Sequence, residues 1–568
     1  MPAQDAGTAA LHPARKALRD RSANGMMDRA MGIAREQRVD FLVAGAGIAG
    51  LRGAIELASQ GTVLVLTKGD GAAPVGSTAR HAAGDAWSII SESPDGADGA
   101  EGEGLAVHMQ DAVRGGDGLC REDALRVLVE EAPRELRQLA GWGVPIQAVP
   151  HAHAGSPRRP RGSHSSCGSL SLDILRALVE KAKTLPTLRI RTHAMMVELL
   201  LEEGAVTGAT YLDGESRSLR IVRAKATLLA TGGLGQVYSE TTNPPGVCGD
   251  GVALAFRAGA LLSDLEFIQF HPTVLCSKKE PRLMLSQALR EKGAVLRNLE
   301  LDRFMSRYHE AGELAPADVL SRAILSEMHK GRSEFVYLDL TALDPDHVKR
   351  EFPNLFAACL ESNIDITSDL VPTRPAAHFS VGGVATGLEG ATSVRGLFAA
   401  GEAAATGVHG AKRTANHSLL EGLVFGTRAS QSMVRGAPPA KFTPPPAASP
   451  AMVGSERLPL ERAESGAPVA EGEIRRLMWE RVGIVRHGSK LREALGCLNA
   501  FNVPRSHPPT RQSLELENLL QTARLITRCA EARRESRGAH YRADYPLRDD
   551  SKPAKHSFVS RESAVYFV

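Results

Sequence analysis

From Arg38 the chain alternates apolar runs with glycine-rich turns. Phe41 to Ala44 is continuously apolar, Gly45 to Gly50 is a turn of small residues, and Leu51, Ile55 and Leu57 then recur at helical spacing. A second apolar run, Thr62 to Leu66, completes a predicted βαβ unit. A further run, Ala226 to Ala230, leads into Thr231-Gly232-Gly233, and another glycine-punctuated strand spans Gly396 to Gly401. Both are expected to return to the same sheet.

Between them, Leu265 to Phe379 carries helical stretches, a strand at Phe335 to Leu338 and many His and Arg residues, as an inserted domain would. Residues 436–456 are rich in Pro and Ala and read as a linker. Beyond them, Ile474, Leu477, Met478 and Val482, then Leu516, Leu519, Leu520, Ala523 and Ile526, recur at helical spacing. The expected architecture is α/β: a Rossmann-like nucleotide-binding domain (38–264 and 380–435), an inserted α+β capping domain (265–379) and a C-terminal helical bundle (457–568). Residues 1–37 are an N-terminal extension.

With 568 residues, two or three domains are expected, and the core is large enough to enclose a large cofactor. Its 68 basic and 65 acidic residues nearly balance, which argues against nucleic acid as a partner. The seven cysteines are scattered with no C-x-x-C, so no disulfide scaffold or metal site is expected. No apolar run reaches membrane-spanning length, and the expected location is cytoplasmic. In residues 1–37, Arg15, Lys16, Arg19 and Arg21 imitate a transit peptide, whereas Asp5, Asp20, Asp28 and Glu36 are atypical of one. The segment reads as a flexible or loosely helical extension.

Gly45-Ala46-Gly47-Ile48-Ala49-Gly50 ends a strand and opens a helix, so backbone N–H groups at the helix's positive end face a pyrophosphate. The acidic ribose reader of NAD sites is missing at the end of the second strand, where Thr67 and Lys68 stand. The stations Ala230-Thr231-Gly232-Gly233 and Gly396-Leu397-Phe398-Ala399-Ala400-Gly401-Glu402 add two close backbone approaches, as an extended FAD requires.

At this point the chain resembles L-aspartate oxidase, a relative of the succinate dehydrogenase and fumarate reductase flavoproteins, from about Arg38 to Pro546. The resemblance is carried by Thr241-Thr242-Asn243-Pro244, Gly249-Asp250-Gly251, Leu265-Glu266-Phe267 with Gln269-Phe270-His271-Pro272, Pro375-Ala376-Ala377-His378 and Ser418-Leu419-Leu420-Glu421. Met478-Trp479, Val482-Gly483-Ile484-Val485-Arg486 and Arg534-Glu535-Ser536-Arg537-Gly538 resemble the oxidase's helical region.

The resemblance implies that FAD is held by the glycine turn, Lys68, the loop Ser77-Thr78-Ala79-Arg80-His81-Ala82-Ala83-Gly84, Met196, Val197, Thr231, Gly232, Gly233, Asp250, Glu402, Ser418 and Leu419. Ser77 stands where respiratory relatives carry the histidine that bonds flavin, so attachment is expected to be non-covalent. His271, Ser286, His378 and Arg413 fall at substrate-binding positions, with His271, His378 and Arg413 the expected catalytic set.

Several positions depart from the family. Ala317, in Glu313-Leu314-Ala315-Pro316-Ala317-Asp318, occupies the place of the proton-shuttling arginine; Arg322 fits the motif's second arginine. Gln287 replaces a glutamate, Glu291-Lys292-Gly293 replaces Gly-Glu-Gly, Ala82-Ala83 replaces Gln-Gly, and Lys412 and His417 replace asparagines. No carboxylate lies between Glu135 and Asp173, so the family's loop glutamate has no counterpart; Ser156 to Arg161 reads as a solvated basic loop.

The resemblance implies oxidation of L-aspartate to iminoaspartate, the first step of NAD synthesis, with oxygen or fumarate as acceptor and hand-over of the product to the next enzyme. The departures leave two alternatives open, an oxidase of another amino acid or dicarboxylate and a catalytically impaired flavin-binding homologue.

Overall fold

A computed structural model describes residues 34–70, 101–148, 163–165, 170–277, 282–413, 417–443, 467–503, 506 and 508–568. At its centre is a five-stranded parallel sheet in the order Leu397–Ala399, Ala226–Leu229, Phe41–Ala44, Val63–Leu66, Leu188–Arg191. The runs FLVA, VLVL and ATLL are buried at every position, because both faces of a parallel sheet are covered. The helix Ile48–Leu57 covers one face and is crossed by the helix His417–Arg435. A Cβ at Gly426 would lie 2.7 Å from the Ala49 carbonyl oxygen, so the crossing depends on that glycine.

The segment expected to be an inserted domain holds an antiparallel sheet, Ile268–Leu275, Val371–Ser380, Val336–Asp339, Val295–Arg297. It has its own core, including Phe304, Ile324 and Leu338, under the helix Ala317–Lys330. Phe270 pairs with Ala377 and His271 with Ala376, which sets His271 beside His378 across the ladder.

The C-terminal helices form at Glu471–Val482, Gly488–Ala500 and Arg511–Ala532. Their apolar faces do not enclose a core of their own: Ile474, Met478, Leu519 and Ile526 pack in one cluster with Leu42, Ala44 and Leu229 of the central sheet. Beyond them the strand Ser557–Val559 pairs antiparallel with Leu262–Ser263, so the region ends as sheet. The late motif arginines are staples of this arrangement. Arg486 donates to the Glu266 carbonyl at 2.7 Å, Arg533 pairs with the Glu266 carboxylate at 2.6 Å, and Arg537 donates to the Asp117 carbonyl at 2.7 Å. Glu266 is fully buried two residues before the strand that carries His271, so these contacts fix that strand's entry. No helix among the described residues is long and apolar enough to cross a membrane.

Candidate active site

The glycine turn lies at the carboxyl end of the central strands. Gly45 has φ +106°, and a Cβ there would sit 2.1 Å from the Ala230 carbonyl oxygen, so the turn closes only with glycine. A Cβ at Gly47 or Gly232 would meet nothing within 4 Å, because both face an open cleft. The helix that starts after Gly47 has no side-chain cap and no acidic residue in its first turn. Its first N–H groups and the positive end of its dipole are left for an anion.

Gly45 to Ala49, Lys68, Met196, Thr231 to Gly233, Asp250, Glu402, Ser418 and Leu419 all line this cleft. Gly50 is packed instead against the Gly45 carbonyl, and Val197 accepts from Arg257 through its carbonyl at 3.0 Å. Lys68 pairs with Asp250 at 2.7 Å and with Glu515 at 2.8 Å. Burial works against its charge, but Asp250, Cys248 and Glu515 hold the ammonium above its usual range. Ser77 to Gly84 lie outside the described residues, as do Ser156 to Arg161.

Against the cleft stands a second constellation. Arg413 donates to Ser418 Oγ at 3.0 Å and its guanidinium lies 5.1 Å from the Phe379 ring centre; both partners line the cleft. Its other terminal nitrogen donates to His378 Nε2 at 3.0 Å. Since a guanidinium only donates, His378 Nε2 accepts, and its proton sits on Nδ1, directed at Thr242 Oγ1 2.9 Å away. His271 packs edge-on against His378, ring centres 5.7 Å apart, and its Nδ1 accepts from the Thr273 N–H at 3.3 Å, leaving the Nε2–H free to donate.

Burial pushes His271 down to about 3, helped by Arg290 and Arg413, and burial with Arg413 holds His378 well below its usual value. Both histidines are therefore neutral at neutral pH. Arg413 is lowered to about 10 by burial, makes no ion pair with a described residue, and its buried Nε has no hydrogen-bond partner. Arg290, also lowered to about 10 by burial, donates to Thr273 Oγ1 at 2.6 Å and to the Glu313 carbonyl at 3.2 Å. A buried and a part-buried guanidinium beside two neutral imidazoles make a site for an anion.

Ser286 caps the short helix Gln287–Glu291 by accepting from the Ala288 N–H at 3.1 Å, and its hydroxyl proton remains for a ligand. Ala317 is the first residue of its helix and brings no charge. Arg322 does not replace the missing group: it pairs with Asp318 at 3.1 Å and lies over the Tyr541 ring at 4.7 Å. Glu135 is buried against Arg52 at 2.6 Å, a structural pair. Lys412 lies 3.6 Å from Asp318, and His417 Nε2 lies 2.8 Å from His108 Nε2. Sequence reasoning missed Arg290 and Phe379. An arginine between Leu289 and Glu291 on so short a helix carries no periodic signal, and Phe379 enters the sequence reading only as the end of the inserted segment.

Residues 40–419 match the family model for an FAD binding domain, and residues 471–566 match that for the fumarate reductase flavoprotein C-terminus. L-aspartate oxidase from Pseudomonas aeruginosa is 36% identical over 533 residues, 89% of this chain and 95% of that protein. The enzyme from Streptomyces coelicolor is 36% identical over 545 residues, covering 92% and 91%. The chain belongs to the L-aspartate oxidase family. Chloroplastic L-aspartate oxidase 2-a of Nicotiana tabacum is also 36% identical, over 90% of this chain and 82% of that protein. Among solved structures, E. coli quinol fumarate reductase FrdA superposes with a TM-score of 0.78 at 27% identity, over 94% of this chain and 96% of that one. Mycobacterium smegmatis Sdh1 in complex with UQ1 gives 0.76 at 28%, over 94% of each chain. This member of the L-aspartate oxidase family is accordingly an FAD-dependent oxidoreductase, and the glycine cleft fits its cofactor.

Glu402 gives this family member a pH signature. Burial pushes its carboxyl up to about 7 from 4.5, against the opposing Ser380 N–H bond at 3.0 Å. A carboxyl raised in the folded state favours folding below pH 4.5, and that contribution is lost as pH rises to 7. In the flavin-free protein this loss should amount to at most about 1.4 kcal/mol per pH unit. Urea titrations at pH 5 and 7 should show a smaller fall for Glu402→Gln than for the wild type; equal falls would remove Glu402 as the source.

Proposed function

We propose that the protein oxidises L-aspartate to iminoaspartate, with oxygen or fumarate taking the electrons. The observation that carries this reading is Arg413: a part-buried guanidinium whose buried Nε is unbonded, with no described carboxylate partner, against the cofactor cleft. A carboxylate there would fill a need the protein leaves open. The His271 Nε2–H is the donor for a second carboxylate, and Ser286 is the third contact. When bound, FAD supplies the acceptor for the hydride leaving the substrate Cα. The protein's part is orientation: Arg413, braced by His378 and Ser418, holds one carboxylate, while neutral His271 keeps its Nε2–H as a donor and neutral His378 accepts from Arg413.

Residues His271, His378 and Arg413 are the proposed catalytic set, and FAD is proposed to be non-covalent because Ser77 cannot form the histidyl bond. Iminoaspartate is unstable in water, which favours hand-over to the next enzyme of NAD synthesis in the cytoplasm. A second reading, oxidation of a different amino acid or dicarboxylate or a loss of turnover, is favoured by Ala317 together with the engagement of Arg322 by Asp318 and Tyr541.

Anaerobic mixing of the yellow protein with L-aspartate tests the first reading. Loss of flavin absorbance is expected; unchanged absorbance with FAD bound would support the second. Acid precipitation should leave the yellow colour in the supernatant, whereas a yellow pellet would mean a covalent bond.

A further inference from the structure

The helix Arg511–Ala532 stands far along the chain from the glycine turn, yet one of its faces reaches the cofactor cleft. Arg511, Glu515 and Asn518 are spaced four and three residues apart, so they share that face. Arg511 itself lines the cleft. Its Nη1 donates to the Lys68 carbonyl at 3.0 Å and its Nε to Glu515 at 2.9 Å. Glu515 in turn accepts from the Lys68 ammonium at 2.8 Å. Asn518 Nδ2 donates to Asp250 Oδ1 at 2.9 Å, while Asp250 Oδ2 pairs with Lys68 at 2.7 Å.

Two cations and two carboxylates thus close a loop in which each cofactor-side residue is held by the helix. The pairs are not surface decoration, for the side chains of Lys68, Asp250 and Glu515 are only 20%, 8% and 19% exposed. The approach is close: a Cβ at Gly246 would lie 3.0 Å from Arg511 Nη2 and 3.3 Å from Glu515 Oε1. Without the helix, Lys68 would lose one of its two carboxylates and Asp250 its amide donor.

We propose that this helix face is part of the FAD site. Arg511 lines the cleft beside Lys68, at the end of the second strand where a ribose is read, so its guanidinium is placed to donate to the adenosine half of the dinucleotide, and Glu515 and Asn518 position Lys68 and Asp250. By linkage, FAD binding and docking of the C-terminal helices then stabilise each other by the same free energy. This holds whichever substrate the enzyme oxidises.

The test uses the full-length protein freed of flavin, with FAD affinity read from quenching of flavin fluorescence. Arg511→Ala and Glu515→Gln should each weaken binding about tenfold or more, the size of one lost charge-assisted hydrogen bond. Arg511→Lys should recover part of the loss, and Gln512→Ala, an exposed neighbour, should bind as the wild type does. Unchanged affinity in both the Arg511 and Glu515 variants, or equal weakening by Gln512→Ala, would overturn the proposal. In the wild type, hydrogen exchange across residues 511–532 should slow when FAD is added. Identical exchange with and without FAD would overturn it independently of any variant's folding.

Discussion

Arg413→Ala should lower kcat/KM for L-aspartate by about 10²- to 10⁴-fold. A guanidinium gripping a carboxylate makes two charge-assisted hydrogen bonds, each contributing about 1.5–3 kcal/mol. The loss should fall on kcat as well as KM, since Arg413 also braces His378 at 3.0 Å and Ser418 at 3.0 Å. Arg413→Lys keeps a charge but not the planar fork, and should recover only part of the rate. Stability should move differently. A part-buried cation with an unbonded Nε and no described carboxylate partner is costly, so the thermal midpoint of Arg413→Met should equal or exceed that of the wild type. Steady-state kinetics and a melting curve check both halves. A kinetic loss below tenfold would mean that the substrate carboxylate is held elsewhere.

Ala317→Arg should raise fumarate reduction by about 10²-fold or more and aspartate oxidation by much less. Family resemblance gives this position to a proton-shuttling arginine, and general acid catalysis is typically worth about 10²–10⁴-fold. Reduction of fumarate needs a proton delivered to carbon; oxidation of a neutral amine needs none at that step. The site is prepared for a long side chain in one respect. Asp318 is adjacent and already draws Lys412 to 3.6 Å and Arg322 to 3.1 Å, so a new guanidinium would enter a region that holds cations. Placing a cation in the first turn of the helix Ala317–Lys330 costs about 0.3–1 kcal/mol against the helix dipole, small beside the kinetic gain. Measuring both half-reactions in the variant decides the matter: equal gains, or none, would refute the idea that the lost arginine serves fumarate reduction selectively.

The parts of the molecule legible in the sequence were those whose partners are set locally or by a motif. Phe41–Ala44, Val63–Leu66 and Ala226–Leu229 announced themselves as unbroken apolar runs because a doubly covered sheet needs no polar face. His271, His378 and Arg413 came from motifs, and the ladder pairing of Phe270 with Ala377 brings the two histidines together. What periodicity does not carry is the identity of the opposite surface. Leu519 and Ile526 mark an apolar helical face, but nothing near them says that it will join the cluster of Leu42 and Ala44. Arg290 escaped for the same reason, its burial being decided by Thr273 and Glu313 at some distance along the chain.

The shared cluster of Leu42 and Ala44 with Leu519 and Ile526 has a consequence for how the protein is made. Synthesis proceeds at about 5–20 residues per second, so roughly half a minute to a minute and a half separates the appearance of the first strand from that of the helix Arg511–Ala532. During that interval the strands Ala194–Glu202 and Ala205–Asp213 already supply part of the shared cluster, but Leu519 and Ile526 are missing from it and the Lys68–Glu515 pair, 447 residues apart, cannot form. The cofactor cleft therefore gains its Arg511 side last, after about nine-tenths of the chain has been made.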